Sequence, residues 1–327
     1  MNAGIKNIKK ILIVRTDRFG EFILNTPAIK AIKDRFPEAC ITLMVSAGVE
    51  EIVRGWPIID EILIYPQEEC NGILKLAHYL RTKKFDMAVI LNPKKDFHLA
   101  TFLSGIPERV GYNRKLGFLL NHKIEDCKSS GQKHEVEYNL DLIRSIGIEA
   151  KEKDLFVSFG PSDENVVETL LKENGISSSD ALLVLHPWTS DPIKQWPTEK
   201  FLGLSKKIIQ EIPCRLIIIG GKEEISKSKD FCVGNPGLID FTGKLSLRQL
   251  AAFLKRSKLL ISNDSGPVHM ASAVKTPVIA IFRNDLPGKG PKRWGPWGEG
   301  NTVIQNSSLS NISVEEVFQK IKEMLHR

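Results

Sequence analysis

The sequence predicts an α/β protein made of two Rossmann-like domains that face each other across a cleft. Three observations predict it. The chain has 327 residues, too long for one typical core. Short apolar runs alternate with longer amphipathic stretches, as buried parallel strands joined by helices do. The series restarts near Gly160, where the polar stretch Gly160–Glu164 is the best linker. The expected domains are therefore 1–160 and 161–327, with the closing helix free to pack back on the first.

The elements follow from the pattern. Lys10 to Arg15 is an apolar run that reads as a strand, followed by a loop. Thr26 to Phe36 places Ile29, Ile32 and Phe36 on one helical face, and Pro37 stops it. Strands follow at Ala39–Val45, Glu61–Tyr65 and Met87–Leu91, with helices near Gly48–Arg54 and Ile73–Thr82 between them. The second series has strands at Leu182–His186, Arg215–Gly220, Leu259–Ser262 and Pro277–Phe282. Its helices are Thr198–Gln210, Ser246–Arg256, Pro267–Val274 and a last amphipathic helix, Ser313–His326. No short repeat and no low-complexity segment interrupts this order.

In doubly wound sheets, ligands bind beyond the carboxyl ends of the strands. The loops at those ends are therefore the candidate sites. The first reads Arg15-Thr16-Asp17-Arg18-Phe19-Gly20-Glu21. It lacks both a dinucleotide fingerprint and a phosphate-loop lysine. Gly20 can let the backbone bend or approach a ligand. Asp17 or Glu21 could act as a general base, and either could equally be an acid favoured by a helix N terminus. In the second half, Pro187 to Pro197 offers hydroxyls at Thr189 and Ser190 and one lysine, Lys194, that could neutralise a phosphate or simply face solvent. Trp196 reads as packing for the next helix. Asn263-Asp264-Ser265-Gly266-Pro267-Val268-His269 joins a strand directly to a helix, whose free N–H groups and dipole attract phosphate. Pro267 fits the first turn. A plain helix cap explains Ser265 and Pro267 but not the Asp-Ser-Gly-x-x-His combination. Gly220-Gly221-Lys222-Glu223-Glu224 permits close backbone approach beside a carboxylate. Ser246 caps the helix after the turn at Leu245, whose backbone could read a base edge.

Composition narrows the class. With 42% hydrophobic and 26% charged residues, wholesale disorder is excluded. The net charge of +7 suits anionic partners, or is a basic solvated surface. No helix clusters Arg and Lys on one face, and no aromatic-basic motif occurs, so nucleic acid is not an expected partner. The five cysteines have neither zinc-ligand nor redox spacing, which fits reduced, mostly buried thiols in a cytoplasmic protein. The apolar run Ile11–Val14 is too short for a signal sequence, and no segment reaches membrane-span length.

The ordered combination of RTDRFGEFILNTPAIKAIK, HPWTSDPIKQWP, GGKEE, FTGKLSL and NDSGPVHMASAVKTPVIAIF resembles glycosyltransferase family 9, the ADP-heptose:lipopolysaccharide heptosyltransferase family, over nearly the whole chain. The resemblance implies a GT-B fold, with the acceptor on the N-terminal domain and the donor mainly on the C-terminal one. It implies inverting transfer without a metal or cofactor. Glu21 occupies the general-base position, where most members have Asp, and Asp17 is the alternative. Arg18 and Gly20 belong to the acceptor-side loop. Thr189 and Lys194 face the donor phosphates, with Ser190 able to replace Thr189 because one extra residue precedes Lys194. Glu224 binds a donor hydroxyl and Leu245 flanks the adenine. Asp264 holds the sugar hydroxyls, while Ser265, Gly266 and His269 receive the pyrophosphate. The expected partners are ADP-heptose or another nucleotide sugar and a lipid-linked glycan acceptor. The expected location is the cytoplasm, with peripheral contact at the anionic inner face of the cytoplasmic membrane. The alternatives are a nucleotide-sugar epimerase of similar form and a non-catalytic nucleotide- or nucleic-acid-binding protein.

Overall fold

The structure is a computed structural model and describes residue 5 and residues 7–326. The chain divides into two units between Ser158 and Phe159.

The first unit runs β1 (Lys10–Val14), α1 (Phe19–Ile23), α2 (Thr26–Arg35), β2 (Cys40–Val45), α3 (Ala47–Val53), β3 (Glu61–Ile64), α4 (Ile73–Lys83), β4 (Met87–Ile90), α5 (Lys95–Leu103), β5 (Glu108–Asn113), β6 (His122–Glu125) and α6 (Glu135–Arg144). Its six strands are parallel in the order β3-β2-β1-β4-β5-β6. The central strand β1 has neighbours on both edges and helices on both faces. Ile11 to Val14 are fully buried for that reason.

The second unit runs α7 (Pro161–Glu173), β7 (Leu182–His186), α8 (Thr198–Glu211), β8 (Arg215–Ile218), α9 (Ile225–Val233), β9 (Leu238–Asp240), α10 (Leu247–Arg256), β10 (Leu259–Asn263), α11 (Gly266–Ala273), β11 (Val278–Arg283), α12 (Pro291–Trp294), β12 (Thr302–Asn306) and α13 (Val314–Leu325). This sheet is also parallel, in the order β12-β11-β10-β7-β8-β9. Counted from its own first strand, it repeats the order of the first sheet. Each sheet reverses direction beside its first strand, between β1 and β4 and between β7 and β10. Those two switch points are where an open α/β sheet leaves a crevice for ligand.

The α/β class and the two Rossmann-like sheets agree with the sequence reading, and several details differ. The residues after β1 do not form a continuous loop, because Phe19–Ile23 is helical and carries Gly20 and Glu21. Gly20 is buried inside that helix rather than in a turn. Gly160–Glu164 is not a linker. Gly160 caps α7, its N–H donating to Asp163 Oδ2 at 2.9 Å, and Pro161 begins the helix. The segment without helix or strand lies earlier, at 145–160, and is pinned to the first unit by Phe156 stacked on Trp56. The closing helix does not stand apart from the second unit. Val317, Phe318 and Ile321 of α13 sit fully buried in that unit's core. The cysteines are all free, but only Cys70 is buried; Cys127 is exposed and the other three are half-buried.

Candidate active site

In the first unit, the loop after β1 meets the end of β4. Arg15 is buried, donates from Nη1 to the Leu91 carbonyl at 3.0 Å, and pairs through Nη2 with Asp17 at 3.2 Å. Asn92 Nδ2 donates to Asp17 Oδ1 at 3.1 Å and to Thr16 Oγ1 at 3.2 Å. Lys94 Nζ donates to Thr16 Oγ1 at 3.1 Å and lies 4.0 Å from Asp17. Asp17 is thus clamped by Arg15 and the Asn92 amide, with Lys94 at the edge of ion-pair distance.

Glu21 is placed differently. It lies in the first turn of α1, half-buried. Burial raises its pKa above the usual glutamate value, against the pull of its own backbone N–H and of Arg15; Asp17 adds to the rise. A carboxylate made more basic by burial suits proton abstraction better than one already clamped. Arg18 is the exposed residue preceding α1. The brace behind this helix is buried: Asn139 Nδ2 donates to the Leu24 carbonyl, and its Oδ1 receives Lys128, which pairs with Glu135 at 2.6 Å.

In the second unit, the sequence-expected residues gather at the ends of β7, β8 and β10. Lys194 Nζ and Asp264 Oδ2 form an ion pair of 2.5 Å, with Asp264 nearly enclosed. Burial raises the Asp264 pKa, opposed by Lys194 and helped by Asp191. The Thr189 hydroxyl donates to the Asp264 carbonyl at 3.3 Å, whereas Ser190 is exposed on the outer part of the loop. Thr189 is therefore the hydroxyl beside the strand end. Ser265 precedes α11 but does not cap it. Its Oγ turns back to Ser262 Oγ at 2.8 Å and His186 Nδ1 at 3.1 Å. In the first turn Pro267 has no N–H and the Val268 N–H returns to the Ser265 carbonyl at 3.2 Å, so the Gly266 N–H is the donor that the missing side-chain cap leaves to another acceptor. His269 is buried one turn further in.

Glu224 and Leu245 lie at the ends of β8 and β9. Glu224 Oε2 accepts from the Gly221 N–H at 2.5 Å, and burial raises its pKa. Gly243, at φ +72°, bonds from its N–H to the Gly220 carbonyl at 3.0 Å, so the turn leading to the half-buried Leu245 abuts the Gly220–Gly221 loop. Gly220 is required here by contact. A Cβ on it would stand 2.8 Å from Trp188 Cδ1 and Nε1 and 3.0 Å from Glu224 Oε2. Gly220→Ala is expected to lower stability by about 1–3 kcal/mol, because Trp188 and Glu224 must shift to admit the methyl group. Thermal melting checks this; an unchanged melting temperature would remove the steric argument.

Sequence reasoning missed the residues that brace these loops. Asn263, fully buried, accepts from the Trp196 N–H at 2.9 Å and donates to the Pro187 carbonyl at 2.8 Å. Trp196 itself packs edge-on against Phe201, as expected of a core residue. His186, Asn92 and Lys94 were not singled out either. A polar residue that ends or follows a buried apolar strand is the signal that could have found them. Among the described residues, no three His, Cys, Asp or Glu side chains gather into a metal-holding group, and no helix is long and apolar enough to cross a membrane.

The sequence model of glycosyltransferase family 9 (heptosyltransferase) matches residues 73–322. Lipopolysaccharide heptosyltransferase 2 of Escherichia coli K12 is 24% identical, with 86% of this chain and 85% of that protein covered. The crystal structure of a family 9 glycosyltransferase from Veillonella parvula superposes with a TM-score of 0.87 at 21% identity, over 97% of each chain. The E. coli ADP-heptose lipopolysaccharide heptosyltransferase II structure gives 0.81 at 21% identity, over 97% of this chain and 98% of that one. Two parallel six-stranded sheets match these GT-B structures, and the family match takes in the later half of the first unit and nearly all of the second: the chain belongs to glycosyltransferase family 9 and is a glycosyltransferase.

Proposed function

We propose that this glycosyltransferase moves a heptose from ADP-heptose to a lipopolysaccharide-core or related lipid-linked acceptor, with inversion and without a metal. The observation that carries the donor assignment is the meeting of Lys194, Asp264 and the uncapped N terminus of α11 at one switch point. That group offers positive charge to a pyrophosphate and a carboxylate to sugar hydroxyls. The names of the relatives support heptose and the lipopolysaccharide core.

In this reading, Glu21 takes the proton of the acceptor hydroxyl as its oxygen attacks the anomeric carbon. The bond from that carbon to the β-phosphate oxygen breaks, and ADP leaves with the electron pair. Thr189, Lys194, Ser265, the Gly266 N–H and His269 stabilise the growing phosphate charge, which is the role fixed donors and cations fill when no metal is present. Glu224 takes the ribose hydroxyls and the turn at Leu245 flanks the base. The basic surface favours acceptor-bearing anionic membrane.

The test is mass spectrometry, with NMR for configuration, of products from a panel of nucleotide sugars, with and without a lipid A–core acceptor and with and without EDTA. Heptosylated acceptor with inverted anomeric configuration, formed equally in EDTA, is expected. An epimerised sugar released without acceptor rejects transfer in favour of epimerisation. Loss of product in EDTA rejects metal independence, and transfer of another sugar only rejects heptose.

A further inference from the structure

His186 closes β7 and is buried, yet no step of the transfer needs it. Its Nδ1 lies 3.2 Å from Ser262 Oγ and 3.1 Å from Ser265 Oγ, and the two hydroxyl oxygens are 2.8 Å apart. These three atoms form a closed triangle, and the proton count decides what it can do. Ser262 donates its one proton to the Asn263 carbonyl at 2.9 Å. Its oxygen can then only accept within the triangle. Ser265 also has one proton. If Nδ1 carried a lone pair, it would draw that proton inward. If Nδ1 carries hydrogen, it donates to the serine oxygens, and the Ser265 proton can turn outward with no buried atom left unpaired.

We infer that His186 is a positioning residue: as the Nδ1–H tautomer it holds Ser265 with its hydroxyl proton directed to an anionic oxygen at the N terminus of α11. Burial drives the His186 pKa down to about 4, so the ring is neutral and its tautomer is set by these hydrogen bonds rather than by charge. Ser265 is free to serve this way because it does not cap its helix. The inference rests on the donor reading of that helix end.

The test is a double-mutant cycle read by calorimetry with ADP, using the full chain. Ser265→Ala is expected to weaken ADP binding about tenfold, the worth of one charge-assisted hydrogen bond. His186→Leu, similar in volume, is expected to weaken it by a comparable factor in the wild-type background and to have no further effect in the S265A background. His186→Asn, which keeps an N–H near Nδ1, is expected to restore most of the affinity. Should H186L fail to fold, His186→Gln, whose amide reaches the place of Nε2 and not of Nδ1, takes its place: it must weaken ADP binding in the wild-type background and add nothing in the S265A background, and wild-type affinity in it overturns the inference. Independent, additive losses from His186 and Ser265 overturn the inference while leaving the donor reading intact. ADP binding that S265A leaves unchanged overturns both.

Discussion

Glu21→Gln is expected to lower the rate of transfer by about 10²–10⁴-fold, the usual worth of a positioned general base, with ADP affinity unchanged. The amide keeps the size of the side chain and removes its ability to take a proton. ADP affinity is expected to hold because the proposed donor group belongs to the second unit and Glu21 to the first. Asp17→Asn gives a contrasting result. It strips the partner from Arg15, whose side chain is only 5% exposed, and loosens Lys94, so activity falls through disorder of the loop. The two are separated by the pH profile of kcat. A base must be ionised to act, and burial raises the Glu21 pKa, so the acidic limb lies above the ordinary glutamate range of about 4.3. That limb persists in D17N and is lost in E21Q. An active E21Q enzyme with an inactive D17N enzyme would move the base to Asp17.

Lys194→Ala is expected to lower kcat by about 10²–10³-fold, the cost of removing one fixed donor from a site of developing charge. It also leaves the Asp264 carboxylate, with only 10% of its side chain exposed, without a countercharge. A diphosphate then meets net repulsion, so ADP affinity falls as well. Asp264→Asn introduced into K194A is expected to recover part of that affinity, although on its own it deprives the sugar of its carboxylate. Such non-additivity is the mark of two groups in contact. Steady-state kinetics and calorimetry on the four proteins give the result, and a wild-type rate in K194A would remove the lysine from the phosphate site.

The sheets were legible because a parallel strand buried on both faces is an uninterrupted apolar run, as Ile11–Val14 and Leu182–Leu185 are. The segment 92–160 was not, and its strands show why. β5 (ERVGYN) and β6 (HKIE) lie toward the sheet edge, where only some positions are buried. Their polar residues hide the run. The same holds for the edge strand β12 (TVIQN). Helix α1 escaped notice because five residues cannot display a periodic stripe, and α7 because its first turn, Pro-Ser-Asp-Glu, has the composition of a linker while acting as a helix start. In the second unit, Thr189, Lys194, Asp264 and Ser265, which sequence and resemblance named, lie together between the ends of β7 and β10, whereas Glu224 and Leu245 lie beyond β8 and β9. Sequence and resemblance did not reveal that Lys194 and Asp264 bind each other, nor that Ser265 faces back to His186. Those are pairings across 70 and 79 positions of chain, set by the packing of neighbouring strand ends.

Asn263 makes the loop after β7 a tethered arch. One amide grips Pro187 at its outgoing foot and Trp196 at its returning foot, while the span between them is tied through Thr189 and Lys194 to Asp264 and closed at its crown by the Ile193 N–H on Asp191. The separation of the feet is therefore set by β10 and not by how many residues lie between them. The free energy of closing such a span changes only slowly with its length. A residue added between Ser190 and Ile193 can be taken up in the crown without disturbing either foot. A lineage, or an engineer, can lengthen the arch and alter what its summit touches while the sheet beneath keeps its register.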